Sequence, residues 1–385
     1  MVKAGALRAF FISGFLLALP GGLLPLWGYH VHPEFGTAGN YFLALGVGMA
    51  GAMALAQKLA RLWRAGNLLT TGCLAASLSM ALLAFAAPPA QFWYQMLCLF
   101  VCGAAAGLIN SAIFELIGPA WEADRAGVTL RGGICFGAGS VVASLLLMQC
   151  LGVDATMTAR VLAATGLIPI AAALAFRRIR AEAPTLGEAD MDETGTRDRR
   201  TVLAVLFGLL LFLQFANEWS IAGWLPVYLI DRLGMSPAGA VMLLAFYWAA
   251  LTLGRIGAAL LLRMMPQGRL LSISAFCALF GGTALAVSDT RGGVVVGILL
   301  VGAGFSVIYP LASELIATRF TSWHSGYFSK LFAFAMSGGI FAAFVLGHLA
   351  EATGLRAIPL AAMLGSCGVF ALILLIRLGR KVSGN

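Results

Sequence analysis

The stretch RRIRAEAPTLGEADMDETGTRDRR, Arg177 to Arg200, is the one long polar break in a chain of otherwise apolar runs. It holds six Arg and six acidic residues, with Pro184, Gly187 and Gly195 among them, and it has no apolar face. Such a composition cannot bury enough surface to fold, so the stretch is expected to be a flexible linker. Six apolar runs precede it, near 8–29, 39–57, 66–87, 90–118, 131–151 and 156–176. Six follow, near 202–230, 237–262, 269–288, 293–317, 326–350 and 354–377. The 385 residues divided by 12 runs give about 32 residues each, against about 20 needed to cross a bilayer as a helix. The runs are continuous rather than alternating, which excludes a β-barrel. The first run starts near Arg8 and lacks a small-residue cleavage site, so it is expected to be a retained span, not a signal peptide.

The short breaks alternate in charge. Of 25 Lys and Arg residues, all but Arg160, Arg232, Arg291 and Arg356 lie at the chain ends or at every second break, which is 25 − 4 = 21. Cytoplasmic loops retain Lys and Arg because they resist translocation. The expected protein is therefore an all-α membrane protein of twelve helices, with both termini and the linker in the cytoplasm. Its expected divisions are a six-helix bundle over 1–176, the linker over 177–200 and a second bundle over 201–385. The net charge of +9 then belongs to the inner membrane surface and its anionic lipids, not to nucleic acid. Hydrophobic residues make up 61% of the chain and charged ones 11%, which leaves no room for a soluble domain. All seven Cys fall within spans, without His or carboxylates at metal-ligand spacing, and are expected to pack as small hydrophobes.

The two sets of six are related. A shift of 199 residues carries Gly103 onto Gly302, Glu115 onto Glu314, Gly127 onto Gly326, Arg131 onto Lys330 and Gly139 onto Gly338. The paired Glu and the paired cation are harder to attribute to chance than the glycines. Small residues cluster at Gly46, Gly48 and Gly51, at Gly103 and Gly107, at Gly137 and Gly139, and at Gly338 and Gly339. They let helix backbones approach closely within a bilayer, and smooth faces allow two bundles to rock.

Three acids lie well within the spans: Glu115, Glu218 and Glu314. A charge there costs about 2.5–3.5 kcal/mol on insertion scales, so it is expected to face a cavity or a partner. Glu218 shares a helix face with Gln214 and Asn217 at i, i+3 and i+4, beside Trp219 and Trp224. Amides, a carboxylate and indoles suit a sugar, its hydroxyls to the polar groups and its apolar faces to the rings. Gly223 and Pro226 are expected to weaken the helix just beyond. The alternative is a polar clamp that only holds the fold. Tyr247 and Trp248, Asn110 and Tyr309 lie deep enough to be further substrate contacts. Trp27, Tyr29, Phe92, Trp93, Tyr94 and Tyr228 sit at span ends and are expected interfacial anchors.

Glu115 and Glu314 lie about a turn from the cytoplasmic ends of spans 4 and 10, too shallow for a midplane site. Arg125 and Arg131 follow the first, Arg319 and Lys330 the second. These symmetric clusters suit an inner gate closed by salt bridges, with a proton carrier or static structural pairing as alternatives. The histidines show no metal spacing, and no phosphate-loop sequence is present. No metal and no cofactor are expected, and nothing resembles a nucleophile–base pair of an enzyme.

Over its whole length the chain resembles the major facilitator superfamily of transporters. Within it, the resemblance is greatest to the fucose permease-like group, the fucose–hexose–proton symporters. The residues that carry it are Gly14 with Ala18-Leu19-Pro20-Gly21, Phe136-Gly137-Ala138, Glu218 with Trp224-Leu225, and Ile308-Tyr309-Pro310. Two breaks also resemble the superfamily's Gly-plus-basic signature: Gly51 with Lys58, Arg61 and Arg64, and Gly254-Arg255-Ile-Gly257 with Arg263 and Arg269. The usual loop Asp is missing from both. The resemblance implies two pseudo-symmetric bundles with the substrate between them at mid-depth. It also implies a secondary active transporter of a sugar or similar small polar solute, a monomer in the inner membrane, with H+ or Na+ as the coupling ion of a symporter. The sequence departs from that group in having no acid in span 1, and in having Gly107 where the group has a deep Glu in span 4. A multidrug-type exporter of amphipathic or cationic compounds remains the competing expectation.

Overall fold

A computed structural model describes residues 2–32, 34–59, 63–123, 125–177, 197–319 and 325–382. They form fourteen helices among the described residues. The first seven are α1 (Val2–Leu26), α2 (Phe35–Leu59), α3 (Ala65–Leu83), α4 (Phe92–Ala123), α5 (Arg125–Cys150), α6 (Ala155–Thr165) and α7 (Leu167–Phe176). The second seven are α8 (Arg197–Leu233), α9 (Pro237–Leu261), α10 (Gln267–Val287), α11 (Arg291–Phe305), α12 (Ile308–Arg319), α13 (Ser325–Thr353) and α14 (Ala357–Val382). They supply twelve membrane spans, because α6 with α7, and α11 with α12, each make one. Helix is the required form here, since a bilayer offers no partner to a backbone N–H or C=O. Most of the linker, 178–196, lies outside the described residues, and α8 already begins at Arg197.

The loops turn where the sequence permits it. Ser236 and Thr290 cap the starts of α9 and α11 by accepting from Gly239 N and Gly293 N, both at 3.2 Å. Gly28 and Gly234, at φ +83° and +57°, end α1 and α8 in the left-handed region that a side chain disfavours.

The relation between the halves reappears as matched packing. Gly103 of α4 lies against the Leu45 carbonyl of α2, and Gly302 of α11 against the Tyr247 carbonyl of α9. Gly139 of α5 lies against the Phe11 carbonyl of α1, and Gly338 of α13 against the Phe212 carbonyl of α8. A methyl group at any of the four would overlap the facing backbone. The two bundles meet along α1 with α8, α2 with α13, and α5 with α9.

One side of the molecule carries Lys58, Arg263, Arg269 and Arg377 and is called the basic side; the other is the far side. On the far side the interface is closed. Gly36 N–H, at the start of α2, donates to Glu351 Oε2 of α13. Gly39 packs on the backbone of Phe344 and Gly347. The far-side aromatics do more than anchor: Trp27, Tyr29 and Phe92 surround the buried Tyr41, whose hydroxyl donates to Gln95 Oε1, while Trp93 stays exposed.

Candidate functional site

Prolines shape the interface at mid-depth. A proline has no N–H, so the carbonyl four residues before it loses its helical partner. Pro20 frees the Leu16 carbonyl, which the Cys102 thiol approaches at 3.6 Å. Pro226 frees the Ala222 carbonyl, and Gly21 of α1 lies directly against it. The helix α8 therefore runs unbroken through Gly223 and Pro226 to Leu233, contrary to the weakening expected there. The break lies instead in the tenth span, between Phe305 and Ile308. Pro310 frees the Ser306 carbonyl, and Arg255 Nε donates to it at 3.2 Å. Gln214 Nε2 donates to the neighbouring Phe305 carbonyl at 3.4 Å.

Arg255 is thus the residue that sequence reasoning missed. By sequence it groups with the basic residues of the break after the eighth span. The structure places it inside α9, only 7% exposed, with its guanidinium in the interface. Its Nη1 donates to the Gly133 carbonyl of α5, in the other bundle, at 2.5 Å. Its Nη2 lies 4.0 Å from Glu218 Oε1. Glu218 sits midway along its span and is 5% exposed. A lone acid at that depth demands a counter-charge, and that demand was the signal for Arg255. Gly133 is needed for the contact, since a Cβ there would fall 2.9–3.0 Å from Arg255 Cδ, Nε and Cζ.

The other expected substrate contacts divide. Tyr247 is fully buried and donates its hydroxyl to the Glu218 carbonyl at 3.3 Å. Tyr309 lies on α12 with its ring edge-on to Phe215 at 5.4 Å. Trp248 faces a cavity. Asn110 donates to Ser13 Oγ at 2.9 Å, within the first bundle. Asn217 points at Gly365 of α14, away from Glu218. At 100° per residue, neighbours on a helix part company, so the i, i+3, i+4 set spreads over two partners. Trp224 belongs to the far-side closure: its Nε1 donates to the Ala343 carbonyl at 2.9 Å, and Phe35 and Phe42 flank its ring at 6.3 and 5.5 Å.

One turn from Glu218 toward the far side lies a small cavity of about 10 Å³, room for about one water. Leu17, Pro20 and Gly21 of α1, Phe42 of α2 and Phe136 of α5 face Trp219, Ala222 and Gly223 of α8 and Trp248 of α9. Every lining side chain is apolar or aromatic. Trp248 Nε1 is buried with no hydrogen-bond partner.

The expected gate residues lie at the basic side. Glu115 and Glu314 are half-buried near the ends of α4 and α12, and Glu115 Oε2 is shut from solvent without a hydrogen-bond partner. Arg131 is exposed. The side chains of Arg125, Arg319 and Lys330 lie outside the described residues. The seven cysteines are free: Cys73, Cys98, Cys102 and Cys150 are buried, Cys135 and Cys277 half-buried, and Cys367 is exposed on the outer face of α14.

The profile of the Major Facilitator Superfamily matches residues 6–342. An uncharacterized MFS-type transporter of Yersinia pestis is 28% identical over 310 residues, covering 79% of this chain and 77% of that protein. Among solved structures, the E. coli fucose:proton symporter is similar with a TM-score of 0.64 at 17% identity, covering 98% of this chain and 99% of that one. A D-xylose–proton symporter is similar with a TM-score of 0.75 at 13% identity, covering 97% and 96%. The nucleoside transporter NupG is similar with a TM-score of 0.68 at 14% identity, covering 98% and 99%.

Proposed function

The chain belongs to the Major Facilitator Superfamily, and from that premise we propose that it is an ion-coupled carrier of a sugar or similar small polar solute. It is a multi-pass transporter of twelve spans, not an enzyme. The observation that carries the finer reading is the buried Glu218–Arg255 pair, tied across the interface to the Gly133 carbonyl. Two charges at that depth cost desolvation even when paired, which favours a functional role over a purely structural one. A proton arriving at Glu218 cancels the negative charge that Arg255 faces. The guanidinium then holds only the two carbonyls, and its grip on the opposite bundle changes. Solute binding one turn away biases the same equilibrium between the two openings.

The far side is the closed side, so the basic side is where the next opening leads. We read Glu115 and Glu314 there as inner-gate acids, paired with Arg131 and Lys330 when that mouth closes, with Arg125 and Arg319 beside them. The protein is read as resident in the plasma (inner) membrane with both termini inside. The apolar lining of the cavity favours a second reading, transport of amphipathic compounds.

The test is Glu218→Gln in proteoliposomes. If Glu218 carries the coupling proton, the variant keeps equilibrium exchange and loses accumulation driven by a pH gradient. If both fall together, Glu218 binds solute without coupling. If neither changes, the site is misassigned. A thermal-shift screen of sugars against lipophilic cations separates the two solute classes.

A further inference from the structure

The far-side closure contains a charge. The first turn of α2 holds no acid of its own. The first backbone N–H groups of a helix have no partner within it, and together they make that end positive. Gly36 N–H is one of them, and the carboxylate that takes it comes from the other bundle, as Glu351 Oε2 of α13. Gly36 is buried and Glu351 exposed, so the pair sits at the rim of the closure. His348, one turn earlier on α13, turns the same face to α2: its Nδ1 lies 3.0 Å from where a Cβ on Gly36 would stand. That Cβ would also overlap Glu351 Oε2, so the approach needs glycine. Among the described residues this bond is the polar contact that joins the bundles on the far side. The rest is packing, with Gly39 on Phe344 and Gly347, and Phe35 and Phe42 on Trp224.

We propose that Glu351 is the latch of the far-side mouth. While the mouth is shut, its carboxylate caps the positive end of α2. When the bundles part, the carboxylate and the N–H both pass to water. The two meet in one state only, so their attraction weights the equilibrium toward closure. Glu34 supplies the contrast. It directly precedes α2 and travels with the same bundle, so its charge favours the helix end equally in both states. The inference goes beyond the reading of Glu218 and rests only on the rocking of the two bundles.

The test places a reporter cysteine at Ala222, a buried residue of the interface beneath the closure. Its rate of reaction with an impermeant thiol reagent, added outside intact cells, follows the fraction of time the far side is open. The chain without the reporter gives the background from the native cysteines. Glu351→Gln removes the charge and should raise the rate about two- to fivefold. Gly36→Ala pushes the carboxylate off the N–H and should raise it to a similar degree. The double variant should go no further than the larger single one, because both changes break one contact. Glu34→Gln should leave the rate unchanged. An unchanged rate in either single latch variant, an equal rise in Glu34→Gln, or a double variant at the product of the two singles each overturns the latch and leaves the carrier reading standing. Gly36→Ala decides the matter if Glu351→Gln fails to fold. No reaction in any chain, wild type included, means that the far side never opens, and the latch and the carrier reading then fall together.

Discussion

Replacing Arg255 with Met tests the buried pair most directly. At the observed 4.0 Å, two unit charges in an effective dielectric of 20 attract by about 4 kcal/mol. Desolvation consumes part of that, but it is already sunk in Glu218, which stays buried when its partner goes. Removing one member of a buried pair costs about 3–5 kcal/mol for that reason. The Gly133 and Ser306 carbonyls also lose their donors, at about 1–3 kcal/mol each where water cannot reach them. The expected loss for Arg255→Met is therefore at least about 3 kcal/mol. Adding Glu218→Gln removes the stranded charge and should return about 1–3 kcal/mol, a non-additivity typical of residues in contact. Denaturant unfolding in mild detergent, followed by tryptophan fluorescence, gives all four corners of the cycle. An Arg255→Met variant within about 0.5 kcal/mol of wild type, or a strictly additive double variant, would refute the reasoning.

Three further outcomes follow from the same geometry. Gly133→Ala puts a methyl group within 2.9–3.0 Å of Arg255 Cδ, Nε and Cζ, so the side chain must shift and both transport and the unfolding midpoint should fall; unchanged uptake would show that the cross-bundle contact is idle. Glu115→Gln with Glu314→Gln should shift the population toward a basic-side-open state, read as a longer distance between labels across that mouth; an unchanged distance removes the gate assignment. A Cys at Glu34 or Asp289 should react with an impermeant thiol reagent from outside intact cells and one at Asp192 should not, and the reverse labelling would invert the topology.

The fold was legible because two signals of long range agree. Charge alternates along the breaks, and the 199-residue shift pairs glycines that the structure uses for equivalent contacts, as with Gly103 and Gly302. The site was legible in part. Glu218 stood out as a deep acid, but Arg255 hid among basic residues that the inner surface would supply anyway. Its role depends on a carbonyl freed in another helix, which no local pattern displays. Pro226 and Pro310 carry the same backbone defect with opposite results. The first is absorbed by Gly21 on the facing helix, while the second lies at an open break whose carbonyl a side chain takes up. Which outcome a proline has is decided by its neighbour in space. Asn217 shows the same limit, since a three-residue spacing leaves a side chain free to serve either of two partners.

Glu218 and Arg255 both belong to the second bundle, which bears on how the carrier responds to voltage. One charge moved across the full membrane exchanges about 2.3 kcal/mol per 100 mV. Opposite charges 4.0 Å apart span only about an eighth of a hydrocarbon layer of about 30 Å. The ionised pair rides with one rigid body as a small dipole, worth at most about 0.3 kcal/mol per 100 mV. Reorientation of the empty carrier is then almost blind to membrane potential. A proton on Glu218 leaves the guanidinium uncompensated, and the same rocking motion displaces one net positive charge. If Glu218 carries a coupling proton, current should flow only on the loaded half of the cycle, and a pre-steady-state charge movement would count that ion without any knowledge of the solute.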